Sequence, residues 1–136
     1  MADFVTSGQR RLLVVDDDVA VRELVRATLE SETYEIIEAN DGEEALRMIR
    51  ENLPQLVLLD IMMPGRSGTE VCRLVKSDPE TSAVVVVMLT AKSDPGEREA
   101  ALAAGADSYF VKPFSPVALL RKVDEVLGII GGQDRT

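Results

Sequence analysis

The chain has no histidine and a single cysteine, Cys72, in 136 residues. Without histidine it cannot build the usual zinc sites or the Ser-His and Cys-His pairs of nucleophilic hydrolases, and one cysteine cannot close an internal disulfide. No apolar run approaches the roughly 18 residues of a membrane span. The opening MADFVTSGQRR lacks the apolar core of a signal peptide. These absences set the expectation of a cytoplasmic protein with no membrane partner. Cationic side chains are also scarce: 15 Lys and Arg face 24 Asp and Glu, for a formal net charge of -9. A phosphate backbone would be repelled, so direct nucleic acid binding by this domain is not expected. Any chemistry must come from carboxylates, hydroxyls and lysine, and hard cations suit such a chain.

What is present is a regular alternation. Five short apolar runs read as strands: Leu12 to Asp16, Glu35 to Ala39, Leu56 to Asp60, Val84 to Leu89, and Ser108 to Val111. The first, third and fourth are nearly continuous in Leu and Val, as in strands covered on both faces of a parallel sheet. Helical patterns fill the gaps. Asp41 and Glu44, Ser67 and Glu70, and Asp94 and Glu97 have capping-box spacing, while Pro95 and Pro116 sit one residue after the candidate caps Asp94 and Ser115. Apolar stripes at helical spacing run through Val21, Leu24, Val25, Thr28 and Leu29, through Val71, Leu74 and Val75, and through Leu119, Leu120, Val123, Val126 and Leu127. The expected fold class is α/β, a doubly wound parallel sheet of five βα units with helices on both faces. One domain is expected over residues 11–128. Residues 1–10 read as a flexible N-terminal extension and 129–136 as a flexible tail or the start of a linker.

In an open parallel sheet, ligands collect at the carboxyl ends of the strands. The first run ends in Asp16 and Asp17, the third in Asp60, the fourth in Thr90, and the fifth in Lys112 followed by Pro113. Taken singly, each has an ordinary explanation as a cap, a loop hydroxyl or a solvated lysine. Asp18 keeps such a role, as a first-turn acid complementing a helix dipole. The others form a set. Two carboxylates about 4 Å apart repel by about 4 kcal/mol at an effective dielectric near 20, equal to about three pKa units, so three of them take up protons or a cation. All-oxygen ligands without His or thiolate point to Mg²⁺ or Mn²⁺, which leave coordination sites for water and phosphate. Phosphoryl transfer follows as the matching chemistry: Asp60 can attack, the metal and Lys112 can hold oxygens, and Thr90 can donate a hydrogen bond.

These residues and the segments VVDDD, LVLLDIMMPGRSG, VVMLTA and AGADSYFVKPF resemble the receiver (CheY-like) domains of two-component response regulators, over roughly residues 10 to 128. The intervals agree, with 43 residues from Asp17 to Asp60, 30 from Asp60 to Thr90 and 22 from Thr90 to Lys112. The resemblance implies a flavodoxin-like fold with strand order 2-1-3-4-5. It implies that Asp60 is the phosphoacceptor, taking a phosphoryl group from the phosphohistidine of a sensor histidine kinase or phosphotransfer protein. Asp17 resembles the direct Mg²⁺ ligand, Asp16 the acid that holds the ion through water, and Met62 the residue whose backbone carbonyl completes the set. Lys112 resembles the lysine that pairs with phosphoryl oxygens, with a cis bond to Pro113. Thr90 resembles the switch hydroxyl and Tyr109 the switch aromatic. The fourth helix, fifth strand and fifth helix are the implied output face toward a downstream effector or output domain. No turnover on a separate substrate is implied, only self-catalysed phosphotransfer and autodephosphorylation.

Departures from the family pattern fall on that face. Ser108 and Val117 or Ala118 stand where receivers with winged-helix outputs carry acids used in dimer ion pairs, so that charged dimer is not expected here, although dimerisation on phosphorylation by other contacts stays open. Met62 and Lys92 occupy the two positions that tune dephosphorylation. Two other readings compete. A haloacid-dehalogenase-type phosphatase would use Asp16 and Asp18 as Asp-x-Asp, but its following Gly-Thr is Val19-Ala20 here and no further acidic pair follows Lys112 at a strand end. A pseudo-receiver that binds partners without phosphate keeps the fold but leaves Asp17, Asp60, Thr90 and Lys112 without a task.

Overall fold

The computed structural model of the chain describes residues 9–91 and 95–128. Strands and helices alternate: β1 (Arg10–Val15), α1 (Val19–Leu29), β2 (Tyr34–Ala39), α2 (Gly42–Asn52), β3 (Leu56–Asp60), α3 (Gly68–Ser77), β4 (Val85–Thr90), α4 (Pro95–Ala103), β5 (Ser108–Val111) and α5 (Pro116–Val126). All pairings are parallel and the order is β2-β1-β3-β4-β5. The expected doubly wound fold is present. β1 begins at Arg10, inside what the sequence reading assigned to the extension, and stops at Val15, so Asp16 lies just past it. The expected cap Asp94, Lys92 and the tail 129–136 lie outside the described residues.

The buried runs earn their continuity by facing two cores. Leu13, Val15, Val57, Leu59, Val86 and Met88 meet Ala45 and Ile49 of α2, Val71, Cys72 and Val75 of α3, and Ala101 of α4. Leu12, Val14, Leu56, Leu58, Val87 and Leu89 meet Val25 and Leu29 of α1 and Leu119 and Val123 of α5. Each fully buried Leu or Val contributes on the order of 1.5–3 kcal/mol, so the three central strands anchor the domain. Two residues of the predicted stripes face outward. Leu74 and Leu120 are 37% and 39% exposed, because each helix contacts the sheet along a narrower strip than its apolar spacing allows. Cys72 takes the buried place on α3. Burial pushes its thiol up to about pKa 11, which marks it as a packing residue.

Helix starts follow the sequence with local revisions. Asp41 Oδ1 accepts from Glu44 N at 2.8 Å, but Glu44 returns its bond to Asn40 N rather than to the cap. Ser67 Oγ accepts from Glu70 N, whereas the Glu70 carboxylate goes to Arg66. Ser115 caps α5 with Pro116 following, as expected. Asp18 is the N-cap of α1, accepting from Ala20 N at 2.9 Å, and not a first-turn acid.

One close approach connects fold to site. At Gly68, the first residue of α3, an added Cβ would lie 2.1 Å from the Asp60 carbonyl oxygen and 2.9 Å from Ile61 Cα. Both are backbone atoms, and Gly68 N donates to Ile61 O at 3.0 Å, so α3 rests directly on the chain leaving β3. Replacing Gly68 with alanine forces these segments apart, and overpacking of this kind costs about 1–3 kcal/mol. Urea denaturation of Gly68→Ala is expected to show a lowered midpoint at unchanged slope; an unmoved midpoint would contradict the tight seat.

Candidate functional site

Strand register builds the site. Val15 pairs with Leu59, so Asp16 and Asp60 lie one step further on at adjacent strand ends, with Asp17 beside them. Carboxylate oxygens of Asp16, Asp17 and Asp60 lie within 4.8 Å of one another. Asp16 is fully buried, Asp60 is 5% exposed, and Asp17 is exposed. Such an all-oxygen set, part sunk and part open, fits a hard divalent cation that keeps some of its water. An open cavity of about 420 Å³ flanks Asp17, between the start of α2 and the loop joining β3 to α3. Asp18 is outside the cluster, turned to its helix.

The buried acids are not left unpaired. Asp16 Oδ1 accepts from Asp18 N at 2.9 Å, and its Oδ2 meets Lys112 Nζ at 2.9 Å. Lys112 also stands 3.5 Å from Asp60 Oδ1, and Asp60 Oδ1 accepts from Met62 N at 3.3 Å. Burial, and then the charge of Asp16, push the Asp60 carboxyl up to about pKa 6, against the opposing pull of Lys112 and the Met62 amide. Burial works against the Lys112 ammonium, but Asp16 and Asp60 more than offset it and raise its pKa above the ordinary lysine value. The pair of acids and the lysine form one electrostatic unit.

The remaining predicted residues fall around this unit. Thr90 closes β4 and is 2% exposed; Asp60 pairs with Leu89, which places Thr90 one step beyond. Lys112 N donates to Thr90 O at 2.7 Å, and the Lys112–Pro113 bond is cis. Tyr109 lies lower on β5, opposite Met88, half-buried and with the Arg98 guanidinium 4.7 Å from its ring centre. Met62, two residues after Asp60, is 66% exposed. Thus Lys112 bridges Asp16 and Asp60, Asp17 joins those two acids in one cluster, Thr90 is brought alongside by register, and Tyr109 stands apart on the strand that leads to Lys112.

Two arginines at the site escape a reading based on motifs. Arg22 Nη1 donates to the Asp16 carbonyl oxygen at 2.6 Å, and Arg66 bridges Glu43 at 2.7 Å and Glu70 at 2.9 Å across the loop after β3. The pairing of Arg66 with Glu70 has an i,i+4 signal in the sequence. Arg22 has none, since its target is a backbone atom.

Residues 12–124 match the family model described as the response regulator receiver domain. The chain is 44% identical over 115 residues to the DNA-binding response regulator MtrA of Mycobacterium tuberculosis, covering 85% of this chain and 49% of that protein. It is 43% identical over 117 residues to the phosphate regulon transcriptional regulatory protein PhoB of Rhizobium meliloti, covering 86% and 52%. The chain therefore spans about half the length of the curated relatives it matches. Among solved structures, it superposes on a putative response regulator from Chloroflexus aurantiacus with TM-score 0.83 at 38% identity, covering 88% of this chain and 98% of that one. The chemotaxis protein CheY4 of Vibrio cholerae gives TM-score 0.82 at 31% identity, covering 87% and 98%. With fold, register and sequence in agreement over that span, the chain belongs to the response regulator receiver domain family.

Proposed function

We propose that the domain is a phosphorylation-controlled switch in which Asp60 accepts a phosphoryl group from the phosphohistidine of a sensor histidine kinase or phosphotransfer protein. The carrying observation is the packing of a nearly buried Asp60 against two further carboxylates and one ammonium. Asp17, Asp60 and the Met62 carbonyl would hold Mg²⁺, or Mn²⁺, with Asp16 supporting the ion through water. That ion supplies neutralisation of the phosphoryl oxygens. An Asp60 carboxylate oxygen attacks phosphorus, the bond from phosphorus to the donor nitrogen breaks, and the donor leaves as histidine. Lys112 then binds phosphoryl oxygen, and the Thr90 hydroxyl donates to another. Tyr109 turns inward as Thr90 moves, and the surface of α4, β5 and α5 changes for a downstream effector or output domain.

The same reading makes the domain a signalling module without turnover on a separate substrate, acting in the cytoplasm. The curated relatives named above are DNA-binding and transcriptional regulators, and the match covers about half of their length; a chain with net charge -9 leaves nucleic acid contact to an output domain of that kind. The phosphatase reading is weakened by Asp18, which caps α1 outside the acid cluster. The pseudo-receiver reading is weakened by the intact contacts among Asp16, Asp60 and Lys112.

Incubation with a small phosphodonor and Mg²⁺ is expected to add one phosphoryl group to the intact mass of the parent and none to Asp60→Asn; an unmodified parent refutes the switch, and an equally modified variant misplaces the acceptor. Exposed Met62 crowds water approaching the phosphoryl group from the open side, so Met62→Asn is expected to shorten phosphoryl lifetime roughly tenfold, about 1.4 kcal/mol of barrier; an unchanged decay removes that role. In metal-free protein, the raised Asp60 pKa means that its ionised form opposes folding above about pH 6. Below the ordinary carboxylate pKa the acid is neutral in folded and unfolded chains alike, and the penalty disappears. Asp60→Asn should therefore raise stability at pH 7.5 by on the order of 2 kcal/mol, with the gain shrinking as pH falls through 6 toward 4; urea midpoints across that range check the sign.

A further inference from the structure

Taking the acid cluster as the cation site proposed above, we propose that Arg22 is a positioning residue for it, fixing the peptide between Asp16 and Asp17 and thereby aiming the exposed Asp17 carboxylate. The connection from β1 to α1 is only Asp16, Asp17 and Asp18. Three hydrogen bonds tie it down. Asp16 N donates to Ala39 O at 3.2 Å, Asp18 N donates to Asp16 Oδ1 at 2.9 Å, and Arg22 Nη1 donates to Asp16 O at 2.6 Å. The first two hold N–H groups on either side of Asp17. The third holds the carbonyl of the Asp16–Asp17 peptide, and a peptide plane pinned at its carbonyl cannot swing the Asp17 Cα away from the site.

The guanidinium is itself held in place. Its Nε donates to Glu38 Oε1 at 2.9 Å, the second Glu38 oxygen takes Arg26 Nε at 2.8 Å, and Arg26 Nη1 reaches Glu30 at 2.7 Å. The Arg22 side chain is 15% exposed, so this geometry is enforced by packing as well as charge. Two cations and two anions alternate along the row, which leaves little net positive charge to repel an incoming ion. The planar guanidinium serves Glu38 and the Asp16 carbonyl from two donors held in fixed relative positions; a lysine ammonium offers the charge without that fixed geometry. Outer groups that orient metal ligands typically carry a tenfold to hundredfold effect on metal affinity.

Positioning and plain electrostatics predict opposite signs. Removing a nearby cation should tighten binding of a divalent ion if charge alone matters, whereas loss of the carbonyl tether should weaken it. Mn²⁺ affinity of unphosphorylated protein, read from the electron paramagnetic resonance signal of free ion, separates them. Arg22→Met and Arg22→Lys are both expected to bind Mn²⁺ about tenfold more weakly than the parent, with cooperative metal-free melting retained by Arg22→Lys. Binding as tight as or tighter than the parent in Arg22→Lys overturns the positioning role. A parent that takes up no Mn²⁺ instead refutes the cation site, a failure distinct from that of Arg22.

Discussion

The register of β1 against β3 is the constraint on which the site depends. Once Val15 is opposite Leu59, the next residues must emerge side by side, and those residues are Asp16 and Asp60. Neither strand can slip to relieve the repulsion. A one-residue shift would exchange the buried sets Leu12, Val14, Leu56 and Leu58 with Leu13, Val15, Val57 and Leu59 between two differently shaped cores. Hydrophobic packing worth many kcal/mol thus imposes an electrostatic arrangement that costs a few. The raised pKa of Asp60, to about 6, is where that cost is visible, and Lys112 sits between the two acids as its partial relief.

Around this imposed cluster, backbone segments are held by short polar tethers rather than by bulk. The loop after β3 is seated by Gly68, whose missing side chain admits Asp60 O, and is crossed by Arg66 between Glu43 and Glu70. The connection after β1 is tied by Asp16 Oδ1 and by Arg22. Ion pairs this exposed contribute little stability, with Glu43 70% exposed for example. Their consequence lies in orientation, since a charged-group geometry tolerates only small errors in the loops that carry it.

Much of this was legible in the chain because it is written in periodicity. β3 matches its predicted bounds, Leu56 to Asp60, since a run buried on both faces has sharp limits. Acids, hydroxyl and lysine at strand ends were readable for the same reason: locating the strands locates their ends. What escaped is what periodicity does not encode. Leu74 and Leu120 fit helical stripes but face outward, because spacing gives a face and only tertiary contact gives its width. Asp18 read as a dipole partner and proved to be the cap, a difference of one residue in where α1 begins. Glu70 had capping-box spacing but a nearby arginine outcompeted the cap amide. Arg22 bonds a backbone carbonyl, and no side-chain pattern announces that.

The switch reading also accounts for where the sheet is weakest. β5 is an edge strand of four residues, all half-buried, while the adjoining β4 has five of its six residues buried. Its aromatics split between the two faces. Tyr109 packs toward the α4 side under Arg98, and Phe110 packs toward the α5 side, its ring 5.1 Å from Phe114 and within 6.0 Å of Lys122. Elements with few buried contacts open at low free-energy cost. Lys112 follows directly on this strand, and at rest it favours Asp16 over Asp60 by 2.9 against 3.5 Å. A phosphoryl group on Asp60 would reverse that preference with charge-assisted bonds of roughly 1.5–3 kcal/mol each. Inverting a two-state population from 1:99 to 99:1 takes about 5.5 kcal/mol, so two or three such bonds suffice when the element to be moved is β5. The same bonds are small against the packing of β1 and β3, so on the proposed switch the rigidity that forces the acids together would direct the response toward the half-buried edge strand β5.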